Sequence, residues 1–134
     1  MMKKSDTALI GKKGERTAAR YLKKHGYRIL AKNQHFSHNE LDLIAKSADF
    51  IAFIEVKARR VEENELPYLR PAYAVDQGKR RRTAAAALDY LKQHPVHLSI
   101  RFDVIEVCFS KDRRPRLLRL THIEDAFGTD GIHR

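Results

Sequence analysis

Apolar and small residues recur at helical spacing early in the chain, where Leu9, Ile10, Ala18, Ala19 and Leu22 form a stripe over residues 7–25 and Gly26 supplies a stop. This predicts a first helix. Residues 27–32 alternate as a first strand, and after the polar stretch 33–39 come two runs rich in strand formers, 40–45 and 50–58. The short polar segment Lys46-Ser47-Ala48-Asp49 makes them the arms of a β-hairpin. Residues 59–75 carry acids and two prolines without any period and read as an exposed, mobile loop. Asp76 is the expected N-cap of a second helix running through the alanine run, Leu88 and Leu91 and ending before Pro95. Residues 98–109 then alternate as a long strand, with Ile100, Phe102 and Val104 facing opposite to Ile105, Val107 and Phe109. A short strand over 117–120 and a closing turn of helix over 123–127 complete the pattern. The order αβββαββ predicts an α/β domain over residues 1–134 with a mixed central sheet flanked by helices.

Composition narrows the class. With 134 residues, 43% of them hydrophobic, and only 6 Gly and 4 Pro, the chain is globular rather than disordered. The single Cys108 excludes an internal disulfide and a cysteine-based zinc knuckle, reads as a buried strand residue, and fits a reducing cytoplasm. No run approaches the roughly 18 apolar residues of a membrane span. The apolar run after the basic start is broken by Gly11-Lys12-Lys13, which argues against export by a signal peptide. Lys and Arg number 27 against 17 acids, a formal charge of +10 that suits a polyanion, and nucleic acid before others.

The hairpin carries the candidate chemistry. If Lys46 pairs with Ile51, then Ile44 lies opposite Phe53, Asp42 opposite Glu55 and Glu40 opposite Lys57. Opposed side chains have Cβ atoms about 5 Å apart, so two acids there repel unless a cation or a shared proton lies between them. Alternation puts Ile51, Phe53, Glu55 and Lys57 on one face, with Asp42, Glu55 and Lys57 expected to project toward a common point beside the first helix, whose small-residue side carries Glu15. Phosphodiester hydrolysis needs a hard cation, an activated water and positive charge at the phosphoryl oxygens. Asp42 and Glu55 supply carboxylates suited to Mg²⁺ or Mn²⁺, the Val56 main-chain carbonyl a third ligand, Lys57 the positive group, and Glu15 support for a second ion or a water. The plainer alternative for Asp42, Glu55 and Lys57 is an exposed ion-pair ladder; their apolar neighbours Ile44, Ile51 and Phe53 favour a covered site. For Glu15 the alternative is a helix ion pair, and Glu40 is a secondary candidate.

Lys79, Arg80, Arg81 and Arg82 open the second helix, where positive charge opposes the macrodipole unless a phosphate is present. They are the expected nucleic-acid contacts, with Gln77 assisting and Tyr68 and Tyr73 as secondary candidates for stacking on bases. The spacing His35-x-x-His38-x-Glu40 suggests zinc, or with Asn39 an HNH nuclease, but the remaining ligands of either are missing.

Leu41-Asp42, twelve intervening residues and Glu55-Val56-Lys57, with a helical Glu15 upstream, resemble the PD-(D/E)xK nuclease signature as arranged in archaeal Holliday-junction resolvases. A longer likeness runs through Gly14-Glu15, Ala18-Ala19, Tyr21-Leu22, Gly26-Tyr27-Arg28-Ile29-Leu30, Asn33, Glu40-Leu41-Asp42-Leu43-Ile44-Ala45, Phe53-Ile54-Glu55-Val56-Lys57, Ala74-Val75, Lys79, Arg101-Phe102-Asp103-Val104 and Ile123-Glu124-Asp125-Ala126-Phe127. These residues resemble the bacterial YraN family and cover nearly the whole chain. The resemblance implies a restriction-endonuclease-like fold and a Mg²⁺- or Mn²⁺-dependent endonuclease acting on DNA, branched or damaged DNA included. Asn39 stands where the family usually has Gly, and Leu41 replaces the proline of the signature; neither change removes a ligand. Cutting both strands calls for a homodimer with two sites. The alternative expectation is a nucleic-acid-binding or scaffold module of the same fold with little or no turnover.

Overall fold

The computed structural model describes residues 4–36, 39–70 and 77–127. The first helix, α1, spans Lys4–Lys24 and buries Ile10, Gly14, Ala18, Ala19 and Leu22, while Leu9, expected on that stripe, is 63% exposed. Leu9 lies nine residues, about 180° of helix turn, from Ala18, on the side of the helix away from the sheet. The helix ends in a Schellman motif: the Tyr27 N–H bonds the Leu22 carbonyl at 2.9 Å and the Gly26 N–H that of Lys23 at 3.3 Å. Gly26 sits at φ +88, the left-handed backbone that motif requires.

Five strands follow in the sheet order β1-β2-β3-β4-β5: β1 (Arg28–Phe36), β2 (Asn39–Lys46), β3 (Phe50–Arg60), β4 (Ser99–Phe109) and β5 (Leu117–Phe127). Only β3 and β4 are parallel, and the other neighbours are antiparallel. A parallel pair needs a long crossover. It is supplied by a 3₁₀ helix at Glu63–Tyr68 and by α2, Gln77–Gln93. The loop expected at 59–75 is therefore partly structured, since β3 continues through Arg59 and Arg60 along β4. The helical turn expected over 123–127 is strand. Val104, Ile105 and Glu106 pair with Ile123, His122 and Thr121, and these ladder bonds outweigh the weak helical preference of so short a segment. The result is an α/β fold with a mixed five-stranded sheet in the restriction-endonuclease-like order αβββαββ.

Two cores lie on opposite faces of the sheet. Ala52, Ile54, Ile105, Val107 and Phe109 pack with α1 on one face, and Ile51, Phe53, Phe102 and Val104 pack with Ala86, Ala87 and Tyr90 of α2 on the other. The alternation expected for β4 is as observed. Among the described residues no helix is long and apolar enough to cross a membrane.

Candidate functional site

The hairpin register is the expected one at its closed end, with Lys46 opposite Ile51 and Ile44 opposite Phe53, but pairing stops at Leu43 and Ile54. Beyond it the Asp42 side chain takes over as acceptor: Oδ2 receives the Val56 N–H at 2.8 Å. A carboxylate bound to the neighbouring backbone occupies the place of a ladder carbonyl, so Asp42 and Glu55 do not become formal strand partners. Nor do Glu40 and Lys57. Glu40 is exposed and its register partner is His35 of β1.

By alternation with Ile51 and Phe53, Glu55 and Lys57 share one face, as expected, and that face is covered by α2. Lys79, in the first turn of α2, confirms the side with its Nζ 3.7 Å from Glu55 Oε1. Glu15 approaches from the opposite helix. A Cβ added at Gly14 would lie 2.6 Å from Ala58 Cβ, so α1 rests on β3 at the residue next to Glu15. Burial pushes the Asp42 carboxyl up from 3.8 to about 6; the Val56 N–H and the Lys79 charge pull it down, and the charges of Glu15 and Glu55 push it up. Glu15, Asp42, Glu55 and Lys79 thus form one electrostatic site where the pairing of β2 with β3 ends.

The arrangement leaves one polar atom unanswered, because Glu55 Oε2 is buried without a hydrogen-bond partner. Among the described residues no group of three or more His, Cys, Asp or Glu side chains is placed to hold a metal ion. Lys57 is half-buried on the same face as Glu55 and stands in register with Glu106 of β4. Gln77, Arg80, Arg81 and Arg82 are exposed at the start of α2, and Tyr68 is 86% exposed at the end of the 3₁₀ helix. Tyr73, Asp76 and His38 lie outside the described residues.

Two clusters escaped the sequence reading. On the α2 face, Glu106, whose side chain is 1% exposed, pairs with Arg59 Nε at 3.4 Å and Arg119 Nη2 at 3.3 Å. Arg119 Nη1 donates to the carbonyls of Leu66 and Leu69, and Arg59 Nη2 to that of Arg70, so Glu106 ties the 3₁₀ segment to the sheet beside Lys57. On the α1 face, fully buried Asp103 binds Arg101 through both oxygens at 2.8 Å, His122 Nε2 at 2.7 Å and the Asp125 N–H at 3.0 Å. Tyr21 meets His122 Nδ1 at 2.9 Å, and Tyr27 accepts from Arg101. Burial alone would raise the Asp103 carboxyl, but the hydrogen bonds from His122, Arg101 and Asp125 and the Arg101 charge hold it below its ordinary value. The available signal was a charge at inward-facing strand positions, where aliphatic residues are the rule.

The model of a family described as "Uncharacterised protein family UPF0102" matches residues 14–107. The chain is 42% identical over 120 residues to a UPF0102 protein of Pelotomaculum thermopropionicum, covering 89% of this chain and 95% of that one. It is 40% identical over 118 residues to one of Parabacteroides distasonis, covering 88% and 91%. With one of Chloroherpeton thalassium the identity is 38% over 125 residues, covering 90% and 94%.

Proposed function

From a chain that belongs to UPF0102, the YraN family, whose description carries no activity, we propose a nucleic-acid-binding protein that hydrolyses phosphodiester bonds in DNA as a divalent-cation-dependent endonuclease. The observation that carries this reading is the buried, unpartnered Glu55 Oε2 beside Asp42, whose own Oδ2 is fixed by the Val56 N–H. An anionic oxygen without a donor is stabilised by a cation. The donor set is two carboxylates and a nearby main-chain carbonyl, all hard oxygens, which fits Mg²⁺ or Mn²⁺; Mg²⁺ takes one or two carboxylates and keeps several waters, so no third acidic ligand is needed.

Asp42 and Glu55 would hold the ion, with the Val56 carbonyl as a third ligand and Glu15 supporting from α1. When bound, the ion would neutralise charge on a phosphate and acidify water. Lys57 supplies fixed positive charge on the Glu55 face for the phosphoryl oxygens. Lys79 neutralises Glu55 and stands in the first turn of α2, where a phosphate also meets free helix N–H groups, and Arg80, Arg81 and Arg82 extend that contact. The expected substrates include branched or damaged DNA, and a two-fold dimer supplies a second site where both strands are cut.

The test is incubation of the purified protein with duplex, nicked, branched and single-stranded DNA plus Mn²⁺, alongside Asp42→Ala and Lys57→Ala. Cleavage by the wild type is expected, with each variant slower by roughly 10²–10³-fold or more. An unaltered rate in either variant refutes the assignment. A second reading, a binding module without turnover, is favoured by the ion pair that already engages Glu55 Oε1. Metal titration separates the two: a hydrolytic site binds Mn²⁺ with an affinity lost in Glu55→Ala, while a pure binder shows salt-dependent DNA affinity without a metal response.

A further inference from the structure

Lys12, Arg16, Arg20 and Lys23 occupy positions i, i+4, i+8 and i+11 of α1, within about 80° of arc on its outer surface. All four are exposed, and none forms an ion pair among the described residues, whereas Arg59, Lys79, Arg101, Lys111, Arg116 and Arg119 each meet a carboxylate. Helix stability does not account for the stripe. Only Lys23 falls in the last turn, where a cation complements the macrodipole, and like charges spaced four apart repel. Among the described residues no carboxylate forms an ion pair with them, and Glu15, the one carboxylate among residues 12–24, is felt at Asp42.

The stripe also continues past the helix. Lys23, Arg28 and Lys32, with Tyr27, line an open depression of about 560 Å³ beside the edge strand β1. From Lys12 to Lys23 the helix advances about 17 Å. A duplex presents about ten phosphates over that length.

We propose that the outer face of α1 is a second nucleic-acid contact surface, which takes a segment of phosphate backbone other than the one at the start of α2. This rests on the reading that the protein binds nucleic acid. Because α1 and α2 cover opposite faces of the sheet, their outer surfaces point apart. A nucleic acid engaging both outer surfaces passes from one side of the sheet to the other.

The test compares wild type, the α1 variant Lys12→Gln/Arg16→Gln/Arg20→Gln and the α2 variant Arg80→Gln/Arg81→Gln/Arg82→Gln, after circular dichroism has shown that all three fold. Glutamine keeps helix propensity near that of Lys and Arg. Anisotropy with a duplex carrying a central single-stranded gap, whose arms turn independently, gives the slope of log affinity against log salt without divalent ions. Both variants are expected to show a shallower slope, by about 2.7 where three duplex phosphate contacts are lost. A change in the α2 variant alone overturns the second surface and leaves the reading of the candidate site intact. Absence of salt-dependent binding by the wild type overturns both. If phosphatidylserine vesicles bind the wild type but not the α1 variant, while the two proteins share one DNA slope, the face belongs to a lipid surface and the proposal fails.

Discussion

Replacing Asp42 by Asn tests the electrostatics of the site without any substrate. Burial and the neighbouring charges of Glu15 and Glu55 raise this carboxyl from 3.8 to about 6, so its ionisation in the fold is penalised by about 3 kcal/mol relative to the unfolded chain. The folded-state value is the raised one. The favourable contribution is therefore complete below about pH 4 and disappears as pH rises through 6, and above that the ionised group weighs against the fold. Asparagine keeps an oxygen for the Val56 N–H, and the pull of that bond on the charged form is already contained in the raised value. At pH 8 without divalent ions, Asp42→Asn should be more stable than the wild type by about 2–3 kcal/mol, or roughly 6–12 °C in Tm. At pH 4 the advantage should vanish. Urea unfolding at both pH values with a shared m-value measures it. A less stable variant at pH 8, or an equal difference at both pH values, would refute the account of a charge held at an energetic disadvantage. Added Mn²⁺ should stabilise the wild type and leave the variant nearly unchanged.

Gly14→Ala brings its Cβ to 2.6 Å from Ala58 Cβ and should lower stability by about 1–3 kcal/mol; Ala58→Gly in the same chain should recover much of the Tm, and failure to do so would mean that α1 does not rest on β3 there. Asp103→Asn leaves buried Arg101 with only the exposed Glu124, 3.8 Å away, as counter-charge and should cost about 3 kcal/mol at pH 7, read by urea unfolding. Because the Asp103 carboxyl is held low in the fold, its contribution is present above the ordinary carboxylate range and fades as pH falls through the folded value, so the acid limb of wild-type stability should flatten in this variant. Lys79→Gln removes the ion pair to Glu55 and should tighten Mn²⁺ binding while weakening DNA binding, measured by calorimetry and anisotropy; loss of both would show that Lys79 mainly holds the site's shape.

The sequence by itself determined both long helices, the hairpin and the alternating faces of its central strands. The stop at Gly26, the Lys46 to Ile51 turn of the hairpin and the two-residue alternation of β3 and β4 follow from backbone sterics and burial within a few neighbouring residues, and each is legible locally. Contacts between distant segments were decided by the tertiary structure. Residues 117–127 form one strand because β4 lies beside them with unpaired N–H and C=O groups, an influence absent from the segment itself. Alternation showed that Glu55 and Lys57 share a face, but which helix covers it depends on how α1 and α2 pack, and only the fold brings Lys79 to Glu55 and Glu15 to Asp42. The same is true of Asp103 with His122 and Glu106 with Arg119, inward charges whose partners lie on another strand. Local chain stereochemistry is written along the sequence, whereas the pairing of buried charges depends on distances that close only when sheet and helices come together.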